Sequence, residues 1–306
     1  MPSQLLRDAA REVREQYPLI ASNLTPDACR DDAGPLDAAN CAIAYASRRC
    51  SGDAARMTEM LDSFAEISFD FLRLQARFNQ TGHYARSTAD GLVEDFYSDG
   101  SEMHGYIEGL LLTYALWPNH ARILDFFRQQ VIDIGEPAST FREIGVGHGL
   151  MANLLVEHVA DASYLGIDLS PHTIEYCKQA LTADFEFAAT DQPWTFLEAD
   201  ATEVVNTFEP GDWFICCEVL EHVDHPDELL ATCRSLIKPD GRGFLTTVAN
   251  LEASDHVFLF HDAAHIRSLI HDAGFAIDAE LALPLPGAED SSPLPLNYAA
   301  VVSIER

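Results

Sequence analysis

The stretch that decides the fold is F-R-E-I-G-V-G-H-G-L-M-A-N-L-L, which runs from Phe141 to Leu155. Three glycines, Gly145, Gly147 and Gly149, stand where a short apolar strand ends and a helix begins. Glycine permits a tight turn and lets a ligand lie against the backbone. The pattern therefore predicts a ligand-binding loop between a strand and a helix.

An acidic residue follows at the end of each of the next two predicted strands. Asp168 lies in the segment G-I-D-L-S, and Asp200 lies in F-L-E-A-D-A. The acid at the end of the strand that follows the glycine loop, Asp168, is placed to bind two ribose hydroxyls. Asp168 could instead cap the following helix, although Ser170 is the better cap. Asp200 could instead form a turn.

Strands and helices alternate from Ser139 onwards. Residues Trp213–Val223 read as a buried strand that runs into a polar loop, and Asp227–Val248 as a helix, a Pro-Asp-Gly turn and another strand. Such alternation predicts a parallel sheet with right-handed crossovers.

These four motifs, in this order and spacing, resemble those of the class I S-adenosylmethionine (SAM) dependent methyltransferases over about residues 139–306. The resemblance implies an α/β fold with a doubly wound, seven-stranded, mostly parallel sheet. Its two closing strands, Ala276–Leu283 and Tyr298–Ile304, would form a hairpin with the last strand antiparallel. The resemblance also implies SAM as co-substrate or sole substrate. The residues that it assigns to SAM binding are Glu143, Gly145, Gly147, Gly149, Asp168, Leu169, Asp200, Ala201, Cys217 and Glu218.

The N-terminal part has helical periodicity and almost no strand signal. Apolar spacing predicts a helix across Asp53–Asn79, and two more across Glu102–Leu116 and Asn119–Val131. We interpret residues 1–137 as a helical cap that builds the acceptor site, and residues 138–306 as the SAM-binding catalytic domain. A helical arm for homodimerisation is an equally good interpretation of the cap.

The formal charge of −30 arises largely because the chain has only two lysines, Lys178 and Lys238. A surface this negative repels phosphate backbones, which argues against nucleic acid and for a small-molecule substrate. Adaptation to high salt is another source of such a charge. The longest apolar stretch, Gly109–Trp117, is too short to cross a bilayer. Seven cysteines without a C-x-x-C pair and a polar first segment predict a cytoplasmic protein.

The segment E-V-L-E-H contains Glu218, Glu221 and His222. In some relatives, the quinone-precursor O-methyltransferases and the small-RNA 3′-end methyltransferases, a Glu-x-x-Glu-His of this kind holds a divalent metal. Many other members carry it without one, and we predict no metal here. His222 is then a candidate general base or a packed loop residue. Further histidines that could add a metal ligand are His256, His261 and His265.

Motifs that mark particular methyl acceptors are missing. The chain has no N/D-P-P-Y/F after the fourth strand, and two lysines cannot build the Lys–Asp–Lys set of catechol-type enzymes. No acceptor-activating base is visible, so SAM itself is a candidate for the only substrate.

The azetidine-2-carboxylate synthases share the class I fold, and in them the SAM α-amine attacks its own γ-carbon and methylthioadenosine leaves. Tyr176 and Asn297 resemble two residues near the methionyl group of those enzymes. The narrower hypothesis is therefore SAM cyclisation with Tyr176 and Asn297 as catalytic residues. The alternative is ordinary methyl transfer to an O, N or C atom of a small molecule. Tyr176 could merely pack its helix, and Asn297 could merely start a strand.

Four more residues are weaker candidates. Tyr97, His104 and Tyr106 in the cap could reach the site as a lid, although aromatic residues at such positions are more often core. His148, inside the glycine loop, could touch the methionyl carboxylate, although a solvent-facing loop residue is the simpler interpretation. A non-catalytic SAM-binding protein would keep the same loop and acids.

Overall fold

A computed structural model describes residues 1–92, 100–185 and 194–305. The N-terminal part is helical. Its helices are α1 (Gln4–Gln16), α2 (Thr25–Ala28), α3 (Ala33–Arg49), α4 (Ala54–Thr81), α5 (Gly100–Leu116) and α6 (Pro118–Phe127), and a π-helical turn follows at Arg128–Ile132. Helices α4, α5 and α6 confirm the three predicted helices. Helix α4 begins where Asp53 accepts a hydrogen bond from the Ala55 N–H, and it ends at Gly82 in the left-handed conformation.

The C-terminal part contains a seven-stranded sheet. Its strands are β1 (Thr140–Ile144), β2 (Ser163–Asp168), β3 (Trp194–Glu198), β4 (Gly211–Cys217), β5 (Ile237–Ala249), β6 (Phe275–Pro284) and β7 (Leu296–Ile304). They lie in the order β3-β2-β1-β4-β5-β7-β6. Strand β7 is antiparallel to both of its neighbours, while the pairs among β1 to β5 are parallel. The predicted sheet and its antiparallel last strand are confirmed.

Helices connect the strands and cover both faces of the sheet. They are α7 (Leu150–His158), α8 (Pro171–Phe185), α9 (Ala201–Val204), α10 (Pro226–Ser235) and α11 (Ala263–Asp272), with 3-10 turns at Val205–Thr207 and Leu220–His222. The carboxyl ends of the parallel strands therefore open toward one edge, where ligands bind in sheets of this kind.

The predicted Pro-Asp-Gly turn before β5 is wrong. Residues 237–249 form one strand, and its pairing with β4 jumps from Gly211 opposite Ile237 to Trp213 opposite Arg242. The extra residues form a bulge, which Asp212 stabilises by accepting a hydrogen bond from Lys238 Nζ at 2.6 Å. Proline and glycine are tolerated there because a bulge leaves residues out of the hydrogen-bonded ladder.

The cap and one face of the sheet share a continuous apolar core. Phe127 of the cap meets Phe244 of β5 edge to face, with ring centroids 5.0 Å apart, and each such buried aromatic side chain contributes about 1.5–3 kcal/mol to folding. A second core fills the other face beneath α10 and α11. The cap is thus packed onto the sheet, and the division at residue 137 stays a prediction. Among the described residues, none of the helices has the length and apolar character needed to cross a membrane.

Candidate functional site

The glycine loop connects β1 to α7 in the way that the sequence predicted. Gly145, Gly147 and Gly149 have φ angles of +73°, +50° and +70°, a region that favours glycine. A Cβ atom on Gly145 would lie 2.5 Å from Val219 Cγ2, whereas one on Gly147 would meet no atom within 4 Å. Gly145 therefore permits close packing, and Gly147 leaves bare backbone beside open space.

Asp168 ends β2 next to this loop. Its carboxylate accepts hydrogen bonds from the backbone N–H groups of Ser170 at 2.9 Å and Gly147 at 3.4 Å. Burial raises the pKa of Asp168 to about 6, against the opposing effect of these N–H groups. Ser170 Oγ accepts from the Thr173 N–H, so Ser170 caps α8 as expected. Leu169, the next predicted contact, is 47% exposed.

Asp200 lies at the start of α9 and has a structural role there. Its carboxylate accepts from the N–H of Thr202 at 2.8 Å and from the Thr202 hydroxyl at 2.6 Å. This is a helix cap, close to the turn-forming alternative. Asp200 and Ala201 also line the same cavity as the glycine loop.

Glu143 lies in β1 with its carboxyl group in the interior. It accepts a hydrogen bond from the Tyr164 hydroxyl rather than from the backbone. Burial raises the pKa of Glu143 to about 8, although the Tyr164 hydrogen bond acts in the opposite direction. Glu143 lines the cavity beside the glycine loop, so a positive charge there would find a buried acid to pair with.

One cavity of about 1280 Å³ extends from the glycine loop to the cap. We call it the central cavity. Cys217, the last residue of β4, and Glu218, which follows it, line this cavity. Glu218 has a φ angle of +53°, which is uncommon for residues other than glycine, asparagine or aspartate and marks a strained backbone position at the cavity.

Three side chains on the cavity wall form a group that we call the Glu-His cluster. Glu221, His222 and His256 each offer a ligand atom, and these atoms lie within 4.8 Å of one another. The three were named in the sequence as possible metal ligands, although we predicted no metal. Their meeting depends on the loop after β5, which carries His256 back to the loop after β4.

The hydrogen bonds of the cluster leave one ligand atom of each residue unused. His222 Nδ1 lies 3.0 Å from the Asp255 carbonyl oxygen, and His256 Nδ1 lies 2.8 Å from the Leu251 carbonyl oxygen. A carbonyl oxygen accepts, so each Nδ1 carries a proton, and in the neutral ring Nε2 keeps its lone pair. Glu221 Oε2 accepts from the Thr247 hydroxyl at 2.7 Å. These bonds are the kind that orient metal ligands from behind.

Two carboxyl oxygens at the cluster are buried and, among the described residues, have no hydrogen-bond partner outside the Glu218–Glu221 pair itself. They are Glu218 Oε1 and Glu221 Oε1. Burial raises the pKa of Glu221 to about 7, and burial together with Glu221 raises that of Glu218 well above its ordinary value. Unpartnered buried carboxylates are costly. A divalent cation would satisfy both, so the residues fit one.

The two residues of the cyclisation hypothesis are not brought together. Asn297, on β7, lines the central cavity, and its Oδ1 accepts from Asn119 Nδ2 at 3.0 Å. Tyr176 is absent from the cavity lining among the described residues. It packs with Met103 and Ile107 of α5 and lies 4.8 Å from the Arg49 guanidinium. The catalytic roles of Tyr176, Asn297 and His222 stay predictions.

The cap contributes polar groups that the sequence did not single out. Asn119 and His120 begin α6 and line the central cavity, because Pro118 starts that helix directly above β6 and β7. Of the lid candidates, Tyr106 donates to Asp255 Oδ2 at 2.8 Å and so links α5 to the Glu-His cluster. His104 lies 3.1 Å from Glu108 on the same helix. Tyr97 lies outside the described residues.

Comparison with known proteins identifies relatives of the C-terminal part. Residues 143–242 match the family model described as "Methyltransferase domain". The ubiquinone biosynthesis O-methyltransferase of Burkholderia lata is 31% identical over 153 residues, which are 46% of this chain and 59% of that protein. That of Dechloromonas aromatica is 29% identical over 147 residues, with the same coverage. The chain thus spans about three fifths of the length of these curated relatives.

Solved structures share the fold at low sequence identity. The magnesium protoporphyrin IX methyltransferase of Synechocystis, with bound S-adenosylhomocysteine (SAH), has a TM-score of 0.53 and 17% identity over 71% of this chain and 99% of that one. A phosphoethanolamine N-methyltransferase of Haemonchus contortus, in complex with SAM, has a TM-score of 0.51 and 13% identity over 72% and 61%. At this level of identity, the likeness is one of fold.

Proposed function

We propose that this chain, which contains a methyltransferase domain of the class I SAM-dependent superfamily, transfers the SAM methyl group to an oxygen atom of a small-molecule acceptor. The observation that carries the proposal is the central cavity. It joins the glycine loop and Asp168 to the Glu-His cluster and to the cap within one continuous space. Cofactor and acceptor can therefore meet without crossing the protein surface.

SAM would lie along the glycine loop. Asp168 would accept hydrogen bonds from the two ribose hydroxyls, and Asp200 with Ala201 would lie at the adenine edge. Glu143 would face the positively charged amine. Leu169 would supply exposed apolar surface next to Asp168.

The reaction would be a direct displacement at the methyl carbon. The acceptor oxygen forms a bond to that carbon while the carbon–sulfur bond breaks, so the sulfonium becomes the neutral thioether of SAH. The acceptor hydroxyl would lose its proton, and without a bound cation Nε2 of a neutral His222 would accept it, since Nδ1 contacts the Asp255 carbonyl oxygen. Alignment of the two reactants supplies the rest of the acceleration. The choice of oxygen draws on the relatives, which are named O-methyltransferases.

A divalent cation is part of the proposal, held by Glu221, His222 and His256 with Glu218 beside them. Such an ion would lower the pKa of an acceptor hydroxyl bound to it. If such an ion were bound, His222 would be one of its ligands, and the acceptor proton would go to a neighbouring carboxylate or to water instead of to His222.

A calorimetric titration with Mn²⁺ tests this cation site separately from activity. We expect one ion per chain, and His256→Asn should weaken its binding at least about tenfold. His261→Asn is the matched control, because His261 stacks on His265 outside the cluster. Equal weakening in both variants, or no binding at millimolar Mn²⁺, would contradict the cation site.

Methyl transfer itself is tested with methyl-labelled SAM and simple acceptors such as catechol. Mass spectrometry should find the labelled methyl ether and SAH in equal amounts, and neither product without acceptor. Asp168→Ala should abolish SAH binding. A wild-type protein that binds neither SAM nor SAH would refute the proposal.

Cyclisation of SAM is the competing hypothesis. Asn297 in the cavity lining supports it, whereas the packing of Tyr176 against α5 weighs against it. Incubation with SAM alone separates the two, because cyclisation releases methylthioadenosine and an azetidine amino acid without any acceptor. The homodimer through the cap and the cytoplasmic location also stay predictions, and analytical ultracentrifugation tests the first.

A further inference from the structure

The central cavity is lined by many acids and, among the described residues, by no lysine or arginine. The acidic residues in its lining are Glu66, Asp70, Glu143, Asp168, Asp200, Glu218, Glu221, Asp224, Glu228 and Asp255. SAM brings a carboxylate of its own into this space. A buried carboxylate without a hydrogen-bonding partner is costly, so a neutral donor must take the place of a basic side chain.

His148 offers such a donor because its tautomer is determined by the backbone. The Leu150 N–H donates to His148 Nδ1 at 3.2 Å, so Nδ1 carries no proton. A neutral imidazole then carries its proton on Nε2. Burial, together with His120, lowers the pKa of His148 to about 3, which keeps the ring neutral at physiological pH. His148 lines the cavity, and the protonated Nε2 is the donor that its side chain has to offer there.

The position of His148 is held from two sides. The hydroxyl of Tyr45, fully buried in α3, donates to the His148 carbonyl oxygen at 3.0 Å. The ring meets that of Tyr114 edge to face at 5.0 Å. His148 also lies two residues before the start of α7 at Leu150, and the N-terminus of a helix favours a negative charge.

Two neighbouring polar residues, His120 and Asn119, offer an acceptor in place of a donor or already use their donor in another hydrogen bond. The Thr113 hydroxyl donates to the Leu110 carbonyl, so His120 Nδ1 must donate to Thr113 Oγ1, and His120 Nε2 is left as an acceptor. Asn119 Nδ2 donates to the carbonyl oxygen of Pro284 and to Asn297 Oδ1. Neither residue offers a free donor of the kind that His148 has.

We infer that His148 binds the methionyl carboxylate of SAM through its Nε2–H group, in place of a cationic side chain. This inference rests on the proposed function, since it assigns a residue to one part of the SAM molecule. It makes His148 a binding residue with a specific target, distinct from the ribose and adenine contacts.

The test compares two ligands that differ only in the carboxylate. These are SAH and its decarboxylated analogue, S-adenosyl-3-thiopropylamine, and calorimetry measures both affinities. His148→Phe should weaken SAH binding by roughly tenfold to a hundredfold, the effect of one hydrogen bond to a charged group, and leave the analogue within about twofold. His148→Gln, which keeps an N–H donor, should recover part of the loss.

Control variants separate this role from loop damage. His120→Phe should leave the ratio of the two affinities unchanged. Equal losses for both ligands in His148→Phe would mean that His148 only shapes the loop, and this would overturn the inference. A carboxylate-specific loss in Tyr114→Phe but not in His148→Phe would also overturn it. Failure of the wild-type protein to bind either ligand would instead refute the proposed function.

Discussion

At the scale of single residues, Glu143 couples the site to protein stability. Its folded pKa is about 8 because of burial, against an ordinary value of 4.5. Between those two values the folded chain keeps a proton that the unfolded chain releases. The stability that the protonated Glu143 contributes is therefore fully present below pH 4.5, and it is lost as the pH rises through about 8. Glu143→Gln carries no such proton. We therefore expect the free energy of unfolding of the variant, minus that of the wild type, to be at least about 1 kcal/mol larger at pH 8.5 than at pH 5.

Urea unfolding at several pH values measures this difference. Glu280→Gln is a useful comparison, because Glu280 accepts from Arg267 and Tyr298 and its pKa is lowered. Removing the Glu280 carboxylate should lower the free energy of unfolding at neutral pH, which is opposite in sign to the effect of Glu143→Gln. The loss should be modest because the Glu280–Arg267 pair is exposed. Parallel pH profiles for wild type and Glu143→Gln would show that the Glu143 carboxyl group titrates normally.

Sequence patterns found the residues whose placement is local. Asp168 and the three glycines follow directly from a strand that ends and a helix that begins. His256 and Asn119 could not be placed in this way, because their partners are distant in the chain: Asn119 contacts Asn297, 178 positions away. The packing of Tyr176 could not be predicted for the same reason, since a helix pattern does not say whether one side chain faces a cavity or the neighbouring α5.

At the scale of elements, substitutions of two glycines should affect protein stability equally but SAH binding differently. Gly147→Ala places a side chain in a left-handed backbone conformation and points its Cβ into open cavity space. Gly52→Ala has the same backbone strain at φ +75° but lies outside the cavity lining. Both should lose about 1–2 kcal/mol of stability. Only Gly147→Ala should weaken SAH binding, by at least about tenfold.

Thermal unfolding and calorimetry on the two variants decide the matter. Unchanged SAH affinity in Gly147→Ala would mean that the ligand does not lie against this backbone. A comparable loss of SAH affinity in Gly52→Ala would point to a general effect of destabilisation.

The contact between the cap and the sheet is a second element-scale feature. Glu252, in the loop after β5, is fully buried and accepts from Arg77 Nη1 of α4 at 2.8 Å and from the Ala85 N–H. Arg77→Met should destabilise the protein by about 2–4 kcal/mol, because it leaves a buried charge with fewer partners. Arg73→Met, one turn away, breaks only the exposed pair with Asp70 and should cost under about 1 kcal/mol. Similar losses in the two variants, measured by urea unfolding, would contradict the importance of the buried contact.

Helices and strands were predicted well where the apolar periodicity is strong, and poorly where a strand contains a bulge. The buried face of α4 repeats at helical spacing, so its existence followed from the sequence. The bulge in β5 did not, because Pro239 and Gly241 are typical turn residues in isolation. The pairing with β4 resumes at Arg242 after the bulge, and the Lys238–Asp212 contact ties the bulged segment to β4.

At the scale of the whole molecule, the negative charge and the composition of the cavity point the same way. The chain has a formal charge of −30, and the described residues that line the cavity include ten acids and no lysine or arginine. The potential inside such a cavity attracts cations and repels anions. The sulfonium of SAM fits this field, and the single carboxylate of SAM needs a dedicated contact. The same reasoning applies to the second substrate, on which a negative group would have no partner.

We therefore predict that the enzyme discriminates among acceptors by charge. Dopamine, catechol and 3,4-dihydroxybenzoate share the two hydroxyls and differ in carrying a positive, a neutral and a negative group. Their kcat/KM values should fall in that order, with the benzoate at least about tenfold below catechol, because a buried unpaired carboxylate costs more than 1.4 kcal/mol.

The double variant Glu66→Gln/Asp70→Asn removes two exposed acids of the cavity lining. It should reduce the difference in kcat/KM between catechol and the benzoate, and 0.5 M salt should do the same. Asp272→Asn on α11, outside the lining, should leave it unchanged. Equal rates for the three compounds would mean that the charged groups stay in solvent and that the acceptor binds outside the acidic part of the cavity.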